Sequence, residues 1–297
     1  MRGDLPTLPN RTTALLTRRR FVAAGLAATA GIGFYSNEWA RHELEIVHRP
    51  IFLKNLPPAF NGFRIVQFSD IHLEEYTEDY FLRHVVAQTN ALKPDLVLVT
   101  GDFISRGPMP VAVTYDAAAR CAEMLAGLTC PRRYGIFGNH DAIAGPRIIR
   151  DHMENNGLPL LVDENVRIEH QGEHIYLAGL TDLWLHPSLD RSVPPSPDAP
   201  VLLMVHEPDY ATVIAGHPLG RFVDLILSGH THGGQIRIPG IRPLALPPNG
   251  KLFPHGHYQV GSCQLYVNRG IGTVGIPFRF NCPPELTEFT LRPAPIA

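Results

Sequence analysis

Sulfur ligands are scarce in this chain. Its 297 residues include four cysteines, Cys121, Cys130, Cys263 and Cys282, and no two of them stand in CxxC spacing. That argues against a thiolate zinc site, and isolated cysteines in apolar context read as small buried hydrophobes. No long repeat and no low-complexity tract interrupts the sequence. A basic excess is also missing. The formal net charge is -2, and it is unevenly placed. Residues 1–30 hold five arginines and one acid, so the remainder carries 21 basic and 27 acidic side chains. A mildly acidic body does not suit a protein that grips nucleic acid through phosphate contacts. The apolar run Phe21–Tyr35 is 15 residues long, short of the ~20 that a bilayer-spanning helix needs.

The rest of the composition is ordinary for a globular protein with a sizeable core: 44% hydrophobic and 18% charged residues. Histidine is plentiful, at 15 residues. The N-terminal stretch "LTRRRFVAAGLAATAGIGF" (16–34) sets three arginines directly before the apolar, small-residue run. Basic region, apolar region and the A-x-A site Ala28-Thr29-Ala30 together describe an export signal, and the order from Thr17 to Val22 resembles the twin-arginine type. The expected layout is an export signal over 1–30, cleaved or kept as an anchor, then a linker and edge strand over 31–62. A single domain follows over 63–297. Such a protein would meet the twin-arginine export machinery and work in the periplasm or at the outer face of the cytoplasmic membrane.

Periodicity places buried strands at 63–70, 94–102, 134–141, 201–208 and 222–230, and helices at 78–92, 112–127 and 146–156. Residues 44–53 alternate as a strand, 187–200 form a Pro/Ser-rich loop, and 258–270 and 285–293 read as edge strands closing a sheet. The fold class is α/β or α+β, in layers.

Almost every buried strand ends on a polar residue able to bind metal. Asp70 and His72 follow the first, Asp102 the second, Asn139 and His140 the third. His206 ends the fourth, and His230 and His232 the fifth. Any one of these has a plain structural explanation, such as a helix cap for an aspartate. Five together do not, because ligand sites gather outside strand C-termini. Oxygen and nitrogen ligands without sulfur suit a pair of divalent cations such as Mn, Fe or Zn. Two such ions need a bridging carboxylate, for which Asp102 is the candidate, and they form a clamp for in-line displacement at phosphorus.

The blocks "SDIH" (69–72), "GDF" (101–103), "GNHD" (138–141), "MVHEPD" (204–209) and "SGHTHGGQ" (228–235) resemble, in order, those of the calcineurin-like metallophosphoesterases. "GHTHGGQI" and "YVNRGIGT…PFRFNCPPEL" (266–286) further resemble an exported, twin-arginine branch, with relatives linked to hydrolysis of UDP-2,3-diacylglucosamine. The resemblance implies a four-layer β-sandwich flanked by helices, with a dinuclear metal site at strand C-termini. It implies Asp70, His72 and His232 on one metal, Asn139, His206 and His230 on the other, and Asp102 between. A metal-bridging hydroxide would attack a phosphodiester or pyrophosphate bond of a small-molecule or lipid-linked substrate. His140 would stand beside the phosphate, oriented by Asp141. Arg106 aligns with a phosphate-gripping arginine, although Ser105 replaces the aspartate of the protein phosphatase branch. Gly229, Gly233 and Gly234 would let the backbone turn and stay clear of the phosphate. A non-catalytic metal-binding module and a nuclease are the competing readings. "GIGTVG" (270–275) matches a dinucleotide fingerprint, but it runs into Pro277 and opens no helix, so it reads as a loop near the site's rim. His255 and His257 read as exposed loop residues.

Overall fold

The computed structural model describes residues 18–107, 110–243 and 245–295. Residues 1–17, with the first part of the export-signal reading, lie outside them. The remainder of that segment is a helix, α1 (Arg18–Phe34). Its large apolar side chains Phe21, Leu26 and Phe34 are exposed. Seventeen residues at ~1.5 Å each reach about 25 Å. No helix among the described residues is long and apolar enough to cross a membrane.

Two sheets stack face to face. The first takes β1 (Glu45–Leu53), β2 (Arg64–Phe68), β3 (Leu96–Val99), β4 (Arg133–Gly135) and the last strand of the chain, β11 (Glu285–Pro293), in the order β1-β11-β2-β3-β4. The second takes β5 (Glu164–His170), β6 (Glu173–Gly179), β7 (Val201–Met204), β8 (Val223–Ser228), β9 (Gly256–Val260) and β10 (Cys263–Val267), in the order β5-β6-β7-β8-β10-β9. Strands β2, β3 and β4 are mutually parallel, as are β6, β7, β8 and β10. Their C-terminal ends therefore fall on one edge of each sheet.

Alternation along the strands builds the layers. Ile65, Leu96 and Leu98 point between the sheets, against Leu177, Met204 and Leu227. Val66, Phe68, Val97 and Val99 point the other way, onto Phe81, Leu82 and Val85 of α2 (Asp79–Leu92) and Ala117, Ala118 and Cys121 of α3 (Val111–Leu125). The outer face of the second sheet is covered in part by Ala211 and Ile214 of the short helix Ala211–Gly216. Helix, sheet, sheet and helix make four layers. Strands covered on both faces read as continuous apolar runs, which is why β3 and β7 are wholly buried.

Two expectations are corrected. The segment 285–293 is no edge strand: β11 lies inside the first sheet, parallel to β1 and antiparallel to β2. Its polar residues look edge-like, yet Glu285, Thr287 and Glu288 are buried and bonded. Thr287 Oγ1 accepts from Asn268 at 2.9 Å, and Glu285 takes the Tyr266 hydroxyl at 2.7 Å. The strand expected over 134–141 stops at Gly135, and α4 (Asn139–Ala144) begins where the ligand residues stand. The Asp141 carboxylate accepts the Gly138 N–H at 3.0 Å, the acidic half of a capping box, and this starts the helix. A second helix, α5 (Pro146–Asn155), follows.

Candidate metal centre

Loops leaving β2, β3, β7 and β8, together with the first turn of α4, bring the seven candidate ligands to one place. Ligand atoms of Asp70, His72 and His232 lie within 4.8 Å of one another, as do those of Asp102, His206 and His230, and those of His72, Asp102 and His140. Asp102 Oδ2 faces both groups, 3.4 Å from His72 Nε2 and 3.2 Å from His206 Nε2. Its other oxygen, Oδ1, accepts the His140 N–H at 2.9 Å. Asp70 is held by the His230 N–H, at 3.0 and 2.9 Å from its two oxygens.

Each histidine is oriented through the ring nitrogen that faces away. His206 Nδ1 donates to Thr100 O at 2.7 Å, His232 Nδ1 to Gly272 O at 3.3 Å, and His230 Nε2 to Pro248 O at 2.7 Å. His72 Nδ1 meets Ser105 Oγ at 2.7 Å, and Ser105 gives its own proton to Glu75. Ser105 must then accept from His72. Neutral His72 and His232 consequently carry lone pairs at Nε2, and these two atoms face each other at 3.1 Å. Two acceptors at that separation repel unless a cation lies by them. His206 Nε2 and Asn139 Oδ1 are buried without any hydrogen-bond partner. Burial depresses His72 and His230 and holds His232 at about 4, so these rings are neutral and ready to ligate. Burial also opposes charge on His206, but Asp102 and Asp70 outweigh it and raise its pKa, which marks the pocket as one that calls for positive charge. The residues thus fit two divalent cations with nitrogen and oxygen ligands.

The backbone is strained here. Asp70, His72, Asp102, His230 and His232 all have φ between 48° and 73°. For residues other than glycine this left-handed region costs about 1 kcal/mol or more each, and such strain concentrates at functional sites.

The remaining expectations fare differently. Asp141 does not orient His140. Its buried carboxylate accepts from the N–H groups of Asp102 at 2.8 Å and Phe103 at 3.1 Å, and so ties the Asp102 loop to α4. Successive residues on a helical turn do not face each other. His140 Nδ1 instead accepts the backbone N–H of Arg106 at 2.9 Å. The Arg106 side chain is exposed and makes no hydrogen bond or ion pair with a described residue. Gly233 and Gly234 do adopt positive φ, but the space beside Gly229 and Gly234 is filled by protein. A Cβ on Gly229 would lie 1.9 Å from Ser69 Oγ and 2.4 Å from Asp70 Oδ2, and one on Gly234 would lie 2.4 Å from Pro243 Cβ. His255 contacts Arg237, and His257 contacts Gln264 at 3.1 Å.

Several working residues escaped the sequence reading. Ser105 was visible only as a departure from a motif. Gln235 grips Val274 twice, accepting its N–H at 2.7 Å and donating to its carbonyl at 3.1 Å. Arg279 is fully buried, and its guanidinium donates to the carbonyls of Gly270 at 3.0 Å and Cys282 at 3.1 Å. These bonds shape the 269–276 loop that supplies the partner of His232. Beside the ligands opens a cavity of about 540 Å³. His140, His230 and His232 form its floor, and Ile236, Ala245, Leu246, Val274 and Ile276 form an apolar wall. The "GIGTVG" segment therefore does reach the rim.

The profile of the family described as calcineurin-like phosphoesterase matches residues 63–234. The metallophosphoesterase YkuE of Bacillus subtilis is 37% identical over 290 residues, covering 93% of this chain and 98% of that protein. The phosphodiesterase YaeI of Escherichia coli is 30% identical over 287 residues, covering 93% of this chain and all of that protein. Among solved structures, the NAD nucleotidase NadN of Haemophilus influenzae aligns with a TM-score of 0.46 and 16% identity, over 71% of this chain and 45% of that one.

Proposed function

The chain belongs to the calcineurin-like phosphoesterase family, a family of hydrolases acting on phosphoester bonds, and we propose that it is a two-metal phosphodiesterase whose substrate carries an apolar group. The observation that carries this reading is the pair of ligand clusters, Asp70–His72–His232 and Asp102–His206–His230, that share Asp102's neighbourhood beside one cavity. Two divalent cations bound there would supply Lewis acidity at the phosphoryl oxygens and a water that ionises near neutral pH for in-line attack. Asp70, His72 and His232 would hold the first, Asn139, His206 and His230 would hold the second, and Asp102 is within reach of both clusters. Mn, Fe and Zn all suit the donor set.

His140 stands ready to stabilise the phosphate. Its Nδ1 accepts from Arg106 N–H, so in the neutral ring the proton sits at Nε2, where it can donate a hydrogen bond to a phosphoryl or leaving oxygen and stabilise the charge that develops there. The apolar wall takes the non-polar part of the substrate, which favours a lipid-linked or nucleotide-lipid phosphoester over a bare phosphate ion. The arginine-led, exposed apolar helix α1 supports export and residence at the outer face of the cytoplasmic membrane, where such substrates lie.

Purified protein loaded with Mn²⁺ or Zn²⁺ is expected to hydrolyse bis-p-nitrophenyl phosphate faster than p-nitrophenyl phosphate, and to leave DNA intact. Asn139→Ala and His140→Ala are each expected to cut diester turnover about a hundredfold or more. Undiminished turnover in both variants would sink the site assignment. No turnover with any divalent metal would mean a binding module on the same fold, and DNA cleavage would mean a nuclease.

A further inference from the structure

Behind the first ligand cluster, one carboxylate holds two things at once. His72 Nδ1 donates to Ser105 Oγ at 2.7 Å, and the Ser105 hydroxyl donates to Glu75 Oε2. The other oxygen of Glu75, Oε1, accepts the Gly275 N–H at 2.7 Å. Gly275 stands between Val274 and Ile276, and all three line the cavity. His72 and Ser105 are buried. Gln235 clamps the same loop at Val274, so the wall is tied by two polar side chains, one of which also leads to His72.

We propose that Glu75 is a positioning residue with two outputs: through Ser105 it sets the His72 tautomer for metal binding, and through Gly275 it sets the apolar wall of the substrate cavity. This rests on the metal reading above. The direction of the hydrogen bonds gives the first output. A carboxylate can only accept, so Ser105 must donate to it and must accept from His72. That leaves the Nε2 lone pair aimed at the ligand cluster. Remove the hydroxyl and Nδ1 loses its acceptor, which frees the ring to protonate Nε2 and turn. Partners of this kind behind a ligating histidine are worth about 10- to 100-fold in metal affinity. The second output is mechanical. Without the carboxylate the Gly275 N–H is released, and Val274 and Ile276 lose one of their two anchors.

The two outputs separate by substitution. Ser105→Ala breaks the path to His72 and leaves Glu75 on Gly275. Glu75→Ala breaks both, and Ser105→Thr restores the hydroxyl. Each protein is stripped with chelator, its fold checked by thermal melting, and titrated with Mn²⁺ against a fluorescent chelator. Diester kinetics follow at saturating Mn²⁺. Histidine ¹⁵N spectra of the metal-free proteins read the His72 tautomer, assigned with His72→Gln. Ser105→Ala is expected to bind the first Mn²⁺ about 10- to 100-fold more weakly, to lose the Nδ1–H form of His72, and to keep the parental KM. Ser105→Thr is expected to recover both affinity and tautomer. Glu75→Ala is expected to weaken Mn²⁺ binding similarly and also to raise KM severalfold. Parental affinity and tautomer in Ser105→Ala would overturn the relay, and a parental KM in Glu75→Ala would overturn the link to the wall. If the parent protein binds no Mn²⁺, the metal reading fails, while the metal-free spectra still decide whether Glu75 and Ser105 set the His72 tautomer.

Discussion

A histidine becomes a metal ligand only when its lone pair is aimed, and the aiming is done by the other nitrogen. In this chain Thr100 O, Gly272 O, Pro248 O and the Ser105 hydroxyl each take one ring proton. None of these partners is visible as a motif, because three are backbone carbonyls and any residue type supplies one. The ligand types themselves were legible, since they stand in short blocks at strand ends. Asp141 shows the limit of that legibility. Its place beside His140 suggested a partnership, yet its carboxylate turns inward to the Asp102 loop. Burial has a consequence that can be measured on metal-free protein. His232 is held at about 4 against an ordinary 6.5. The unfolded chain binds that proton near 6.5 and the folded chain only near 4, so acid favours unfolding within this window. By pH 5 the loss is about 2 kcal/mol from this residue alone. In chelator, the urea midpoint is expected to fall between pH 7 and pH 5, and His232→Asn to show a shallower fall. An equal fall in both would contradict the assignment.

Among the elements, β11 departs furthest from its sequence pattern. Threonine and glutamate suggested a solvent edge, but Asn268, Tyr266 and Arg269 satisfy them inside the sheet. These partners lie 16–19 residues upstream in the chain, and a local pattern cannot reveal a bond across that distance. Phe289 sits on the inward face of β11, fully buried between the sheets and edge-on to Tyr266. Phe289→Ala is expected to cost about 3–5 kcal/mol, read as a lowered urea midpoint with an unchanged m-value. A cost under 1 kcal/mol would place β11 outside the core. The strands β2, β3, β7 and β8 were legible, with ends read too long, because strands covered on both faces are largely apolar, and their C-terminal ends set the loops that carry Asp70, Asp102, His206 and His230.

The whole molecule is organised so that two sheets deliver ligands to one edge. The five left-handed candidate ligands hold strain, which a bound cation would offset. Ions that bind only the folded state stabilise it by mass action, about 2.7 kcal/mol at a hundred times Kd. Excess Mn²⁺ or Zn²⁺ is therefore expected to raise the melting temperature of chelator-treated protein, and Asp102→Asn to lose most of that rise. A melting temperature indifferent to metal would count against the centre. The candidate ligands, their donor types and the strands that bear them were set by local sequence, because residue identity and strand pattern are properties of short segments. The partners that aim each ring, the interior place of β11 and the apolar wall came only with the folded chain. That wall joins Ile236 and residues 245–247 to 274–276, and the Glu75 carboxylate reaches Gly275 across 200 residues. Contacts of that span depend on how two sheets pack, and no single segment encodes them.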